Sequence, residues 1–242
     1  MKVAEFVILF IAIPGFIGAQ SHDYSIRAER LNEQVAELNK ISDSIFNIHD
    51  DLFNGKLYIS DADRINHPFF IENTWMPGTV YYSGTFSDGK IVKYDLVTDN
   101  LVIMLKREGI SFPVCINRDV IQGFIISGHR FIMLDDPQKK QSDELTTGYY
   151  EILYDGPTGF FIRWTKTRTV NKNTMQTEYP LEAKYCLKMD GEYHLIRNNS
   201  SFIKVLGDHK EEVSSFMKIY RLRFSPGKIE NAVKVLEFYD SL

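Results

Sequence analysis

The chain has 242 residues, 44% hydrophobic and 25% charged, with a formal net charge of −4. These proportions exclude global disorder, and so mild a charge gives no field that would draw in nucleic acid or an anionic membrane. The 13% aromatic content, with 17 Phe and 13 Tyr, predicts a β-rich protein, because strands present large side chains on their sheet faces.

Residues 1–19 read as a secretory signal peptide. Lys2 precedes an apolar run from Phe6 to Ile13, Pro14-Gly15 breaks it, and Ile17-Gly18-Ala19-Gln20 resembles a cleavage region with the cut after Ala19. The run is too short for a transmembrane anchor, and no Cys near the junction supports lipid attachment. An exported protein is expected, periplasmic or extracellular and not lipid-anchored.

Ser25 to Phe53 has helical periodicity. Leu31, Leu38, Ile45 and Leu52 recur at heptad spacing, with Ile41 and Ile48 between them. A homo-oligomer through Leu31, Leu38, Ile41, Ile45 and Ile48 is one reading; an amphipathic helix covering a sheet face is the simpler one. Asp61, Asp63 and Glu72 match three positions of a calcium loop, but Ile65 and Asn66 fall where an oxygen ligand and glycine are needed. No metal and no cofactor are expected.

From Gly78 to Leu134 the chain reads as a β-meander. Asp88-Gly89 is its sharpest expected turn, and Gly123 within an apolar run predicts a bulge or close backbone approach. Asp135 to Thr147 reads as an exposed loop. Strands resume at Tyr149, with further Asp-Gly turns at Asp155-Gly156 and Asp190-Gly191. The period then changes to helical. A short helix closes at Gly207, a second is capped by Asp208 with Glu211, and a third starts at Ser225-Pro226.

The predicted fold is α+β: an antiparallel β-meander, as a curved sheet or partial barrel, preceded by one amphipathic helix and followed by two to three C-terminal helices. Residues 20–74 form the helix and linker, 75–197 the β domain and 198–242 the helical segment.

The chain contains no nucleophile elbow, phosphate-binding glycine loop, dinucleotide fingerprint or His-Glu-x-x-His motif. His129 with Asp135 or Asp136 is the best His–carboxylate pairing for a hydrolase. Arg163, Trp164, Lys166 and Arg168 interleave cations with an aromatic ring, which suits a sugar, a phosphate or an anionic polymer; the same pattern also protects an edge strand. Cys115 and Cys186 are the two cysteines, open to a disulfide in an oxidising compartment or to burial as free thiols. Asn198 to Ser201 carries tandem glycosylation sequons.

The signal junction Ala19-Gln20, Pro77-Gly78-Thr79-Val80 and Lys93-Tyr94-Asp95-Leu96 together resemble a broad group of uncharacterised exported proteins of Bacteroidota. Gly128-His129-Arg130-Phe131, Gly148 to Leu153 and Leu206-Gly207-Asp208-His209-Lys210 belong to the same resemblance, which covers Trp75 to Leu242 apart from the signal. It implies an envelope or extracellular location and one integrated β-plus-helix unit, with no mechanism attached. The leading expectation is an exported non-catalytic binding or structural module that contacts protein or glycan. The alternatives are a barrel-like binder of a small apolar ligand and the His129 hydrolase.

Overall fold

Ten strands form one open antiparallel sheet in the order β12-β11-β8-β7-β6-β5-β1-β2-β3-β4. They run β1 Met76–Tyr82, β2 Thr85–Asp95, β3 Asn100–Arg107, β4 Ile110–Cys115, β5 Ile121–Ile126 and β6 His129–Leu134. The remainder are β7 Gly148–Asp155, β8 Gly159–Lys166, β11 Leu181–Met189 and β12 Glu192–Ile196. A separate hairpin pairs β9 Thr169–Val170 with β10 Thr177–Glu178. Three helices follow: α1 Asn199–Val205, α2 Lys210–Ile219 and α3 Ile229–Tyr239. The computed structural model describes residues 56–60, 65–82, 84–107, 109–135, 137 and 145–242, all within one unit spanning 49–242. The signal peptide, the 25–53 helix with its heptad positions, Asp61, Asp63 and Asp136 lie outside the described residues.

The α+β, meander-based architecture is as the sequence predicts, with two local differences in the meander. The first hairpin reverses between Tyr82 and Thr85, with Gly84 at φ 76°. Asp88-Gly89 lies inside β2 as a bulge: Gly78 pairs with Lys90 but Val80 with Ser87, so two residues oppose Thr79. Gly89 supplies the positive φ of 67°, and Asp88 Oδ1 accepts from Thr79 Oγ1 at 2.7 Å. An Asp-Gly pair satisfies either geometry, since both require a left-handed residue. The second difference is that β5 docks beside β1 instead of beside β4. The close approach expected at Gly123 is present: a Cβ there would collide with the carbonyl oxygen of Phe131, and the β1–β5 register shifts between Tyr81 and Tyr82.

The sheet curls tightly. Four strands separate β8 from β2, so a flat sheet would hold these two about 24 Å apart at the usual strand spacing. Instead Lys166 N donates to the carbonyl of Leu96, at the end of β2, at 3.1 Å. The segment Pro68–Phe70 pairs along the end of β2, where Phe70 N donates to Tyr94 O and Leu96 N to Pro68 O. This segment carries Phe70 into the hollow, against Phe131, His129 and Trp164. Tyr94, Phe124, Phe131 and Tyr149 complete an aromatic core with ring centroids 4.8 to 6.0 Å apart. Side chains therefore fill the concave face where a barrel-bound apolar ligand would sit.

The other end of the sheet is buried by helices. Phe160, Ile162, Tyr185, Leu187 and Ile196 pack against Phe202 of α1, Val213 and Met217 of α2, and Val235 and Leu236 of α3. Asn198 caps α1 reciprocally with Ser201, and Asn199 Oδ1 accepts from Phe224 N at 2.9 Å, so both sequon amides serve the fold. Two helix boundaries differ from expectation. Gly207 enters a 3-10 turn through His209, so it does not terminate α1 in a left-handed conformation and Asp208 has no extended cap position to occupy. α3 begins three residues beyond Pro226, because Ser225 to Lys228 close a turn next to the buried anchor Phe224.

Candidate functional site

The basic end of β8 is turned inward. β8 is an interior strand between β7 and β11, so edge protection is not its role. Arg163 is only 6% exposed, and its guanidinium fills the space left by Gly148, where a Cβ would collide with it. Arg163 Nη1 donates to Asp99 Oδ1 at 2.7 Å, to Tyr149 O at 3.0 Å and to the Tyr94 hydroxyl at 3.2 Å. Tyr94 in turn donates to Asp99 Oδ1 at 2.5 Å, and Arg118 Nη2 lies 2.9 Å from Asp99 Oδ2. Burial alone would lower the Arg163 pKa, but Tyr94 and Asp99 outweigh it and the guanidinium stays charged. Lys166 Nζ donates to the carbonyls of His67 and Phe69 at 2.9 and 2.8 Å, and burial lowers its pKa. Arg168 is exposed. These residues therefore do not form one exposed patch: Arg163 and Lys166 pin the β2–β3 turn and the Phe69 segment to the end of β8.

Trp164 belongs to a second polar group. Glu151 on β7 reaches diagonally to both neighbouring strands, accepting from Trp164 Nε1 at 2.6 Å and holding His129 Nδ1 at 2.5 Å. The carboxylate partner of His129 is thus Glu151 and not Asp135, which accepts instead from Thr147 Oγ1 at 3.2 Å. Cross-strand geometry explains the difference: His129 and Asp135 sit at opposite ends of β6, whereas the residue facing Phe131 on β7 is Glu151. A carboxylate that orients an imidazole is one component of an acid–base site. Among the described residues no hydroxyl or thiol hydrogen-bonds to His129, whose other neighbour is the edge of Phe70.

Cys115 and Cys186 are both free thiols, on β4 and β11 near opposite ends of the strand order. They do not pair: Cys186 packs with Tyr150 and Phe161, whereas Cys115 lies under the 56–58 segment at the β4 edge. Burial pushes the Cys115 thiol up to about 11 and the Cys186 thiol up to about 12, so neither is an activated nucleophile.

The outer face of the sheet carries an open groove of about 430 Å³ that crosses β2, β1, β5 and β6 to β7. Gly123 forms part of its floor, since a side chain is missing there, and Ile125, Ile132 and Ile152 supply aliphatic walls. The Tyr81 and Phe86 rings meet at a tilt of 31° with centroids 4.5 Å apart along one side, with Phe86 66% exposed. Arg130 sits at the opposite rim, 3.2 Å from the exposed Asp155. Sequence reasoning missed this site because its residues come from five strands. The alternation of Thr79 with Tyr81 and of Arg130 with Ile132 was its only linear trace.

The fold and its grooves define a curled open-sheet protein with a helical cover over one end. No protein-family model, curated protein or solved structure matches the chain. Among the described residues no helix is long and apolar enough to cross a membrane.

Proposed function

We propose that this protein is an exported, non-catalytic binding module, as its signal-like start and its resemblance to exported Bacteroidota proteins imply, and that it engages a partner protein through the outer groove. The observation that carries this reading is the tilted Tyr81–Phe86 ring pair beside an aliphatic trough with an arginine at its rim. Large exposed aromatic residues and arginine are the side chains that dominate binding energy at protein interfaces. The isoleucine walls favour an apolar side chain of a partner over a sugar, whose hydroxyls would find few polar groups there. Arg130 offers a carboxylate of that partner a bidentate seat in competition with Asp155. A solidly packed interior suits this role, because a rigid scaffold lowers the entropy cost of binding at its surface.

Selection of a random decapeptide library on the purified mature chain, followed by calorimetry, tests the proposal. The expected peptides share a large apolar residue near an acidic one. Phe86→Ala and Arg130→Ala should each weaken them by about tenfold. Peptides indifferent to both changes, or saturable glycan binding with no peptide selected, would overturn it. Export itself is checked by the mature N-terminus, expected at Gln20.

A further inference from the structure

A second cavity lies between β2 and the β4 edge of the sheet. Leu57 bridges Val114, Tyr58 N donates to Pro113 O at 2.9 Å, and Cys115 N donates to Lys56 O at 2.9 Å, so this short segment covers the edge strand. Between it and the rings of Phe69 and Trp75 is a space of about 390 Å³. The Tyr58 hydroxyl is committed to Asp95 Oδ2 at 2.8 Å, which leaves its ring as a wall.

Lys93 of β2 lines this cavity and is only 8% exposed. Its Nζ stands 4.4 Å from the Phe69 ring centroid and 5.0 Å from that of Trp75, between two π faces. It donates to Asn73 Oδ1 at 2.6 Å and to Asn73 O at 3.3 Å. Among the described residues no carboxylate pairs with it, in contrast to Arg163 with Asp99. A buried ammonium held only by neutral oxygens and ring faces is under-compensated, and burial lowers its pKa accordingly. An anion entering the cavity would complete it, and the flanking rings would cover a flat apolar body attached to that anion.

We propose that the cavity is a binding site for a small organic carboxylate with a planar apolar portion. Lys93 supplies the charge, Asn73 orients the ammonium, and Phe69, Trp75 and Tyr58 form the walls. This site goes beyond the protein-binding groove, with which it shares no residue, and neither proposal depends on the other.

Benzoate serves as the probe and benzyl alcohol as its uncharged counterpart. The chain has two tryptophans, so the two indole N–H signals in a nitrogen-15 spectrum report separately on this cavity and on Trp164. The Trp75 signal, assigned with Trp75→Phe, should shift saturably with benzoate while the Trp164 signal stays fixed. Benzyl alcohol should bind at least tenfold more weakly. Lys93→Met should weaken benzoate by a similar factor, with an unchanged Trp164 signal showing that the fold is intact. Equal affinity for the two probes in the wild-type chain overturns the proposal without recourse to any variant, as does no saturable shift. Benzoate binding that emerges only after Asp61→Asn and Asp63→Asn would also overturn it, because the chain's own carboxylate would then be the occupant.

Discussion

The two ends of this sheet are buried in different ways. At the β1–β7 end the sheet curls on itself, and its hollow is filled by Phe70 and an aromatic cluster beside the buried charges of Asp99 and Arg163. At the β8–β12 end the sheet face is covered by three helices packed on it through apolar side chains, with Asp240 at the end of α3 accepting from Tyr154 and Thr158. The first arrangement needs ionic ties, because a curled sheet must hold distant strand ends together against the entropy of the turns between them. The second needs none, because helices supply a ready apolar stripe. β8 belongs to both: Ile162 lies in the helical core, Trp164 touches both cores, and Arg163 anchors the curl.

The sharpest way to break the contrast is Asp99→Ala. It leaves the Arg163 guanidinium buried without its carboxylate and removes the ion pair to Arg118, so a loss of about 3–5 kcal/mol is expected by urea unfolding. Replacing Asp99 and Arg163 together by apolar residues should recover part of that loss; a double variant as unstable as the single one would show that the pair's charge is not the cause. Leu236→Ala, in the helix-covered end, should cost about 2–5 kcal/mol, at the lower end if α3 can settle into the space. Because β8 is shared, fluorescence and far-ultraviolet circular dichroism should report the same midpoint for this variant. Two separated transitions would show that the ends fold independently.

Gly123→Ala should cost about 1–3 kcal/mol, since its Cβ meets the Phe131 carbonyl and the β5–β6 pair must shift. The same change would shallow the outer groove, so peptide binding and stability should fall together.

The smallest effect concerns alkaline pH. The folded thiols keep their protons up to about 11 at Cys115 and about 12 at Cys186, while an unfolded thiol ionises near about 8.5. Above that pH the unfolded chain binds fewer protons than the folded one, so stability falls as pH rises toward 11 and 12 and is fully retained below about 8.5. Urea midpoints from pH 8 to 11 should decline for the wild type and decline less for a Cys115→Ala, Cys186→Ala chain. Parallel curves would remove the thiols as the source.

Much of the strand pattern was legible in the linear chain. Ser127-Gly128 and Asp190-Gly191 turn where glycine and a polar partner take positive φ, and the strands on either side follow their β-branched and aromatic runs. Asp88-Gly89 reads as a turn in the linear chain because a bulge and a turn both call for a left-handed residue, and only the partner strand distinguishes them. The candidate sites were less legible. Arg163 and Lys166 look like a basic surface patch in sequence, and only the curl of the sheet brings Asp99 and the carbonyls of His67 and Phe69 to them. His129 finds Glu151 through β6–β7 register, a relation with no trace in sequence distance.

Composition, periodicity and turn residues by themselves determined that this protein is a β-meander followed by helices, because those signals act over a few residues and every strand carries its own. Tertiary structure alone decided which charges are buried, which pair, and where the surface is left open. Those outcomes depend on strands that meet across the sheet, and the chain brings them together only when the whole sheet curls and the helices close over its end.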